Sequence, residues 1–187
     1  MKKILIGMIA VLFVAASFIA LSSVADAAEY IGAKKCKACH IKQFKSWQKT
    51  TMADSFENLK PGVKAEAKKK AGLDADKDYT ADAGCLKCHT TGYGKPGGFT
   101  SIDATPELAG VQCESCHGPG SVYRDTMKKN KKYKLADVVA EGLVIPSEDE
   151  AGCMECHGEG NPFKDKGWNF KERLEKTHEH FPMKHEH

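Results

Sequence analysis

The stretch Gly110-Val-Gln-Cys113-Glu-Ser-Cys116-His117-Gly-Pro-Gly-Ser121 contains a short pattern, Cys-x-x-Cys-His, that decides how the chain must fold. The 187-residue chain contains this pattern four times, and the four copies use all eight of its cysteines. The copies are Cys36-Lys-Ala-Cys39-His40, Cys85-Leu-Lys-Cys88-His89, Cys113-Glu-Ser-Cys116-His117 and Cys153-Met-Glu-Cys156-His157. Cys-x-x-Cys-His is the attachment sequence of c-type haem.

The spacing of the pattern follows from the chemistry of attachment. Two thiols three positions apart lie on one side of a helical turn. There they can add to the two vinyl groups along one porphyrin edge, and the adjacent histidine points its imidazole at the iron as the proximal ligand. We therefore predict four haem c groups, with thioethers at all eight cysteines and with proximal ligands His40, His89, His117 and His157.

Two other uses of paired cysteines compete with this interpretation. Zinc clusters and disulfides both use closely spaced cysteines, and disulfides are common in exported proteins. Neither explains why a histidine follows every cysteine pair.

The N-terminus has the pattern of a secretory signal peptide. Lys2 and Lys3 precede an apolar run from Ile4 to Leu21, and the small residues Ala25-Asp26-Ala27 follow as a cleavage site. We predict that residues 1–27 are removed and that residues 28–187 form one domain, placed in the periplasm or outside the cell. A retained membrane anchor is the alternative, and no later stretch is long and apolar enough to span a bilayer.

The size of the mature chain limits its hydrophobic core. About 160 residues must cover four large apolar cofactors, so the protein supplies about 40 residues per haem. We expect the haems themselves to form much of the core and the protein without haem to be largely disordered. The predicted fold is mainly α, a single multihaem cytochrome c domain whose long loops wrap around four covalently bound haems.

Periodicity and turn residues give a coarse map of the helices. We predict helices over residues 36–59, in the Lys- and Ala-rich segment that ends at Ala71, around Leu135 to Val139, and from Phe170 to about His180. Residues 92–106 are rich in Gly and Pro and predict a loop. No stretch alternates as a strand does.

Net charge gives little information about partners. The formal net charge is +3, and removing Lys2, Lys3 and Asp26 leaves 26 basic and 24 acidic side chains. The haem propionates then make the holoprotein acidic. Nothing in this balance indicates nucleic acid.

The distal side of the haems is where donors are scarce. A low-spin haem usually has a second axial ligand, most often His or Met. Beyond the four proximal residues, the histidines are His178, His180, His185 and His187, all in the last ten residues. Such a short tail cannot reach four irons, so one or two haems must use another donor or none. His178, near the apolar face of the last helix, is the first candidate, and His180 is the second.

Two methionines are further candidates. Met52 follows the first motif and shares a helical face with Phe56, so core packing competes with ligation as its role. Met127 lies among polar residues. The lysines at positions 128–134 predict a solvated face, with docking of an acidic redox partner as the second interpretation.

Several segments resemble the tetrahaem cytochrome c-554 family. They are Trp47-Gln-Lys-Thr-Thr-Met52-Ala-Asp-Ser-Phe56, residues 84–94 and 110–121 around the second and third motifs, and the segment Phe170 to His180. The resemblance implies a mainly α fold, closely packed haem pairs, mostly bis-histidine irons and one haem without a sixth protein ligand. The chain departs from the wider multihaem pattern at Met52 and Tyr123, where a histidine often stands.

The sequence is consistent with three functional hypotheses. The leading hypothesis is an exported electron carrier that passes electrons between redox proteins. The second is a reductase of nitric oxide, another nitrogen oxide or peroxide at an open five-coordinate haem, so whether the protein is an enzyme stays open. The third is a filament subunit of linked haems, in which a C-terminal tail histidine ligates a haem of a neighbouring copy.

Overall fold

The fold is taken from a computed structural model that describes residues 27–146, 150–163 and 167–180. The predicted signal peptide, apart from Ala27, lies outside these residues, and so do His185 and His187. The predicted cleavage and the boundary at residue 28 therefore stay predictions. Within the described ranges, no helix is long and apolar enough to cross a membrane.

The described residues form short helices joined by long loops. The longest helix has nine residues. The α-helices are α1 (Ala33–Cys36), α2 (Ile41–Trp47), α3 (Ala65–Lys70), α4 (Ala83–His89), α5 (Cys113–His117), α6 (Ser121–Lys129), α7 (Leu135–Ala140), α8 (Ala151–His157) and α9 (Phe170–Glu175). Two 3₁₀ helices span Ser55–Leu59 and Pro106–Leu108. The only β pairing in the described chain is an isolated bridge between Thr90 and Ala109, so the prediction of a mainly α fold is confirmed.

The prediction of one helix over residues 36–59 is wrong. This segment contains the end of α1, then α2 and the first 3₁₀ helix, with turns between them. The Thr50 hydroxyl donates a hydrogen bond to the Trp47 carbonyl at 2.7 Å. Since threonine side chains compete in this way for backbone groups, the helix ends at Trp47, whose carbonyl the Thr50 hydroxyl binds.

The other helix predictions are confirmed in outline. The Lys- and Ala-rich segment contains α3, and α7 covers the pattern of Leu135 to Val139. The last helix begins after Asn169, whose side chain accepts a hydrogen bond from the Glu172 N–H at 3.1 Å. It ends at Glu175, earlier than predicted.

The loop predicted over residues 92–106 is also observed, apart from the start of the second 3₁₀ helix at Pro106. It folds back so closely that a Cβ atom on Gly98 would lie 1.8 Å from the Gly92 carbonyl oxygen. Only glycine fits there.

A small hydrophobic cluster supports the second motif. Its members are aromatic or leucine side chains that are almost completely buried: Phe56, Leu59, Tyr79, Leu86, Phe99 and Leu108. Cys85 of the second motif packs against this cluster. None of the six residues of this cluster lies on α5 or α8. Other contacts must therefore position these two helices.

Buried polar side chains position the first motif against the third. Glu114, within α5, is 1% exposed and accepts hydrogen bonds from the N–H groups of Ile31, Gly32 and Gly120 at 2.7–3.0 Å. The Gln112 side chain accepts a further bond from the Ala33 N–H at 2.6 Å. The segment that enters α1 is thus fixed to the helix that carries the third motif.

Candidate haem sites

Each Cys-x-x-Cys-His motif forms a helical turn in the structure. The second, third and fourth motifs lie on α4, α5 and α8, and the first joins the end of α1 to His40 at the start of α2. All eight cysteines are free thiols. The described chain contains no group of three or more His, Cys, Asp or Glu side chains that could hold a metal ion. Each helical turn presents two free thiols, which is the arrangement that attachment to haem requires.

In the second motif, a backbone carbonyl orients the proximal histidine. The His89 Nδ1 atom lies 2.6 Å from the Ser55 carbonyl oxygen. Since a carbonyl can only accept, His89 donates from Nδ1 and keeps Nε2 for a metal. Such a hydrogen bond fixes the ring and makes it a better ligand.

The third motif has the same arrangement with a different partner. His117 donates from Nδ1 to the Val144 carbonyl at 3.0 Å, and the Val144 N–H donates back to the His117 carbonyl at 3.1 Å. Gly118 makes this approach feasible, because its φ is 76° and a Cβ atom there would lie 2.5 Å from the Gly142 carbonyl oxygen. Burial lowers the pKa of His117, which favours the neutral imidazole that binds iron.

The proximal histidines of the first and fourth motifs have aromatic neighbours. Burial, and then the charge of His178, lower the pKa of His40. The His157 ring lies 4.7 Å from the Trp168 ring, centroid to centroid, and Trp168 donates from Nε1 to Glu150 at 3.0 Å. Trp168 therefore fixes the position of the His157 ring.

The thiols of different motifs meet in pairs. A side-chain hydrogen bond joins Cys36 to Cys113; it lowers the pKa of Cys113 and raises that of Cys36. A second thiol pair joins the other two motifs, because a hydrogen bond from Cys156 lowers the pKa of Cys88 to about 7. In agreement, α1 packs against α5, and α4 packs against α8.

Cys116 and Cys153 bring the two pairs near each other. Burial, and then the neighbouring Cys153, raise the pKa of Cys116 to about 11. The motifs therefore follow one another in space in the order first, third, fourth and second. This order differs from their order along the chain, and unequal spacing in the sequence gives no indication of it.

His178 lies opposite a proximal histidine. The ring centroids of His117 and His178 are 6.4 Å apart, with 32° between the ring planes. Two imidazoles on opposite sides of one metal ion have centroids about 6 Å apart, because each metal–nitrogen bond is about 2 Å long and each nitrogen lies about 1 Å from its ring centre. The His178 Nδ1 atom lies 3.0 Å from the Glu179 carbonyl oxygen, which leaves its Nε2 atom for a metal.

The other two distal candidates have different surroundings. His180 is exposed, and its Nε2 atom lies 3.3 Å from the Leu174 carbonyl oxygen. Its outer ring nitrogen is therefore occupied. Met52 is half-buried, and its carbonyl accepts a hydrogen bond from the Val111 N–H at 3.2 Å, next to the third motif.

Several supporting residues carry no sequence signal. Ser55 and Val144 act through backbone carbonyls, which any residue could supply. Trp168 and Glu114 act through side chains, but each is distant in sequence from at least one of the groups that it contacts. The sequence shows only that Glu114 lies between the two cysteines of the third motif.

Four helical Cys-x-x-Cys-His turns, joined through their thiols and backed by oriented imidazoles, define a multihaem c-type cytochrome. The comparisons with known proteins agree. Residues 35–118 match the family described as cytochrome c554 and c-prime. The chain is 42% identical over 168 residues to cytochrome c-554 of Nitrosomonas europaea, which is 84% of this chain and 72% of that protein.

A solved structure gives the same result. The reduced state of cytochrome c554 from Nitrosomonas europaea matches with a TM-score of 0.70 and 36% identity, over 84% of this chain and 88% of that chain. The chain belongs to the cytochrome c554 family. It is a c-type cytochrome of electron transfer that carries four haem c groups, and its domain wraps around them as predicted.

Proposed function

We propose that this protein is an exported electron carrier that receives electrons from one redox protein and delivers them to another. The observation that carries the proposal is the proximity of the four motifs: α1 packs against α5, α4 packs against α8, and Cys116 lies near enough to Cys153 for the charge of one to affect the pKa of the other. Cofactors attached at neighbouring sulfurs would have edges close together, which supports electron transfer across the molecule in short steps. The predicted signal peptide supports a periplasmic or extracellular location.

In this proposal, the cysteines and histidines of the motifs have separate roles. The eight cysteines hold the haems as thioethers, and His40, His89, His117 and His157 are the proximal ligands. Haem iron, once bound, supplies the one-electron chemistry. The carbonyls of Ser55 and Val144 hold the Nδ1 protons of two of these histidines, which keeps their Nε2 atoms directed at the iron.

His178 is the distal ligand in this proposal for the haem attached at Cys113 and Cys116. The 6.4 Å between the centroids of His117 and His178 supports this pairing. The tail is also anchored, because the Glu179 N–H donates to the Ser46 hydroxyl of α2 at 2.8 Å. His180 and Met52 stay candidates for other irons.

The surface near the first motif supports a protein partner. Cys39 is exposed, and Tyr133 lies close enough that the charge of Cys39 helps to raise the pKa of the tyrosine. Around Tyr133, the lysines at positions 128–134 are all exposed. An acidic redox protein fits this surface, since opposite charges steer association. Self-association through the C-terminal tail stays a prediction, because the last residues lie outside the described chain.

The test is a flash-photoreduction experiment on the mature holoprotein, with less than one electron delivered per molecule. We expect the electron to equilibrate among the haems at a rate independent of protein concentration. A double variant, Cys153→Ser with Cys156→Ser, removes the fourth attachment and should slow transfer to the second haem. The matched variant, Cys85→Ser with Cys88→Ser, removes the end of the row and should leave transfer between the first and third haems unchanged.

Other results would contradict the proposal. Equilibration that depends on protein concentration would mean that the row does not conduct. Rapid catalytic consumption of nitric oxide or peroxide, faster than electron delivery to any protein acceptor, would favour the reductase.

A further inference from the structure

We propose that Met127 is the distal ligand of the first haem, the one attached at Cys36 and Cys39. The iron held by His40 then has His/Met rather than bis-histidine ligation. This inference rests on the proposed function, because it requires the four haems to be in place.

Few described histidines are available as a distal donor for the first haem. In the described part of the chain, the histidines other than the proximal ones are His178 and His180. His178 lies opposite His117, at the distance that one shared iron requires. The outer nitrogen of His180 contacts the Leu174 carbonyl. Methionine is the usual alternative to histidine as a distal donor, and Met127 is the methionine placed near the first motif.

Helix α6 is anchored beside the segment that enters the first motif. The Ser121 N–H donates to the Glu29 carbonyl at 3.1 Å, and the Glu29 N–H donates back to the Ser121 hydroxyl at 2.8 Å. A Cβ atom on Gly120 would lie within 3.2 Å of both the Ile31 side chain and the Tyr123 hydroxyl. The N-terminal turn of α6 is thus fixed against the residues that lead into α1.

From there, the chain passes over both cysteines of the first motif. Tyr123 is 8% exposed, and burial followed by the charge of Cys36 raises its pKa. Ten residues later, Tyr133 lies near enough to Cys39 for the charge of that thiol to help raise the pKa of the tyrosine. The segment between the two tyrosines thus begins near Cys36 and ends near Cys39, so it would run along the edge of the first haem.

Met127 is the suitable donor within that segment. It lies one helical turn after Tyr123 and so shares its buried face, and it is half-buried itself. The four lysines between the tyrosines are exposed. The Tyr123 hydroxyl is occupied, since it donates to the Gly118 carbonyl at 3.2 Å.

A second contact fixes the rotation of α6. The Thr126 hydroxyl donates to Glu141, at the end of α7, at 2.9 Å. Thr126 therefore faces α7, and Met127, the next residue, is turned away from it by about 100°. This leaves the Met127 thioether on the side of Tyr123 and the first motif.

The ligand set has a consequence for the direction of electron flow. A methionine in place of a second histidine raises the reduction potential of a c-type haem. The first haem then has a higher potential than the His117–His178 haem beside it. Electrons then collect at the first haem, where Cys39 is exposed.

The test is spectroscopy of the ferric holoprotein with all four haems attached. Methionine-ligated ferric haem has a weak sulfur-to-iron charge-transfer band in the far red, and bis-histidine haem lacks it. We expect the wild-type protein to show this band. Met127→Leu keeps the side-chain volume and should remove the contribution of one haem, which becomes high-spin. Met127→His should restore a low-spin haem without the band and with a lower potential.

Two controls make the result specific. Met154→Leu changes a methionine within the fourth motif and should leave band and potentials unchanged. Met52→Leu shows how much of the far-red band comes from Met52, the other candidate methionine. The proposal is overturned if Met127→Leu leaves the band, the spin states and the four potentials as they are in the wild type. Because haem content and electron equilibration are measured on the same samples, intact conduction with an unchanged band would reject only the ligand and not the carrier function.

Discussion

Replacing His178 with alanine should convert one haem from low-spin to high-spin. The His117–His178 pair is the one place in the described chain where two histidine rings face each other across the space of a single iron. Without the His178 imidazole, the iron held by His117 has five protein and porphyrin ligands. Five-coordinate haem is typically high-spin and binds small ligands such as carbon monoxide.

The size of the change follows from the geometry. The 6.4 Å centroid separation leaves room for one iron with two bonds of normal length. Only one haem depends on this contact, so about a quarter of the total haem should change spin state. The proximal side is unaffected, because the Val144 carbonyl still holds His117.

The assay is electron paramagnetic resonance of the ferric protein, with carbon monoxide binding to the ferrous protein as a second measurement. His180→Ala is the matched control, since His180 is exposed and its outer nitrogen already contacts Leu174. A low-spin signal that is unchanged in His178→Ala but reduced in His180→Ala would refute the assignment. Equal effects of both variants would show that the tail binds as a unit, which also contradicts it.

Three further predictions concern the supporting structure. Phe99→Ala should lower the free energy of unfolding of the holoprotein by about 3–5 kcal/mol in denaturant titrations, because Phe99 is 1% exposed within the main cluster. Burial raises the pKa of Glu114, so the folded state binds its proton more tightly than the unfolded state does. Stability should therefore fall as pH rises above the usual glutamate range, and Glu114→Gln should remove this slope in pH-dependent unfolding. Changing three lysines within positions 128–134 to glutamate should slow oxidation of the reduced protein by an acidic acceptor protein at low salt, with the difference shrinking above about 0.15 M salt, where the Debye length is about 8 Å.

The sequence is informative wherever a function depends on covalent spacing. Thioether formation fixes Cys-x-x-Cys-His, so attachment sites and proximal ligands can be assigned from the residues alone. Local signals were also sufficient for α3, α7 and the Asn169 cap. The prediction of a long helix through Thr50 was wrong. It relied on the spacing of apolar residues and left out the hydrogen bond from the Thr50 hydroxyl to the Trp47 carbonyl, which competes with the helix.

Other features depend on contacts between distant parts of the chain. The spatial order of the motifs arises from Glu114 and Gln112, which bind backbone groups about 80 positions away. The carbonyls of Ser55 and Val144 have no side-chain signature. Such contacts can be read only from the folded chain.

The four haem sites share one attachment chemistry, so differences between them must arise from the distal side and from the surroundings. The His178 ring lies 6.4 Å from the His117 ring of the third site, while α6 carries Met127, the distal ligand proposed for the first site. A shortage of histidines, which looks like an incomplete ligand set in the sequence, then becomes a means of setting unequal potentials. Unequal potentials would give a row of neighbouring haems a preferred direction. In this protein, the direction points towards Cys39, where the haem edge is exposed and the lysines can bind a partner.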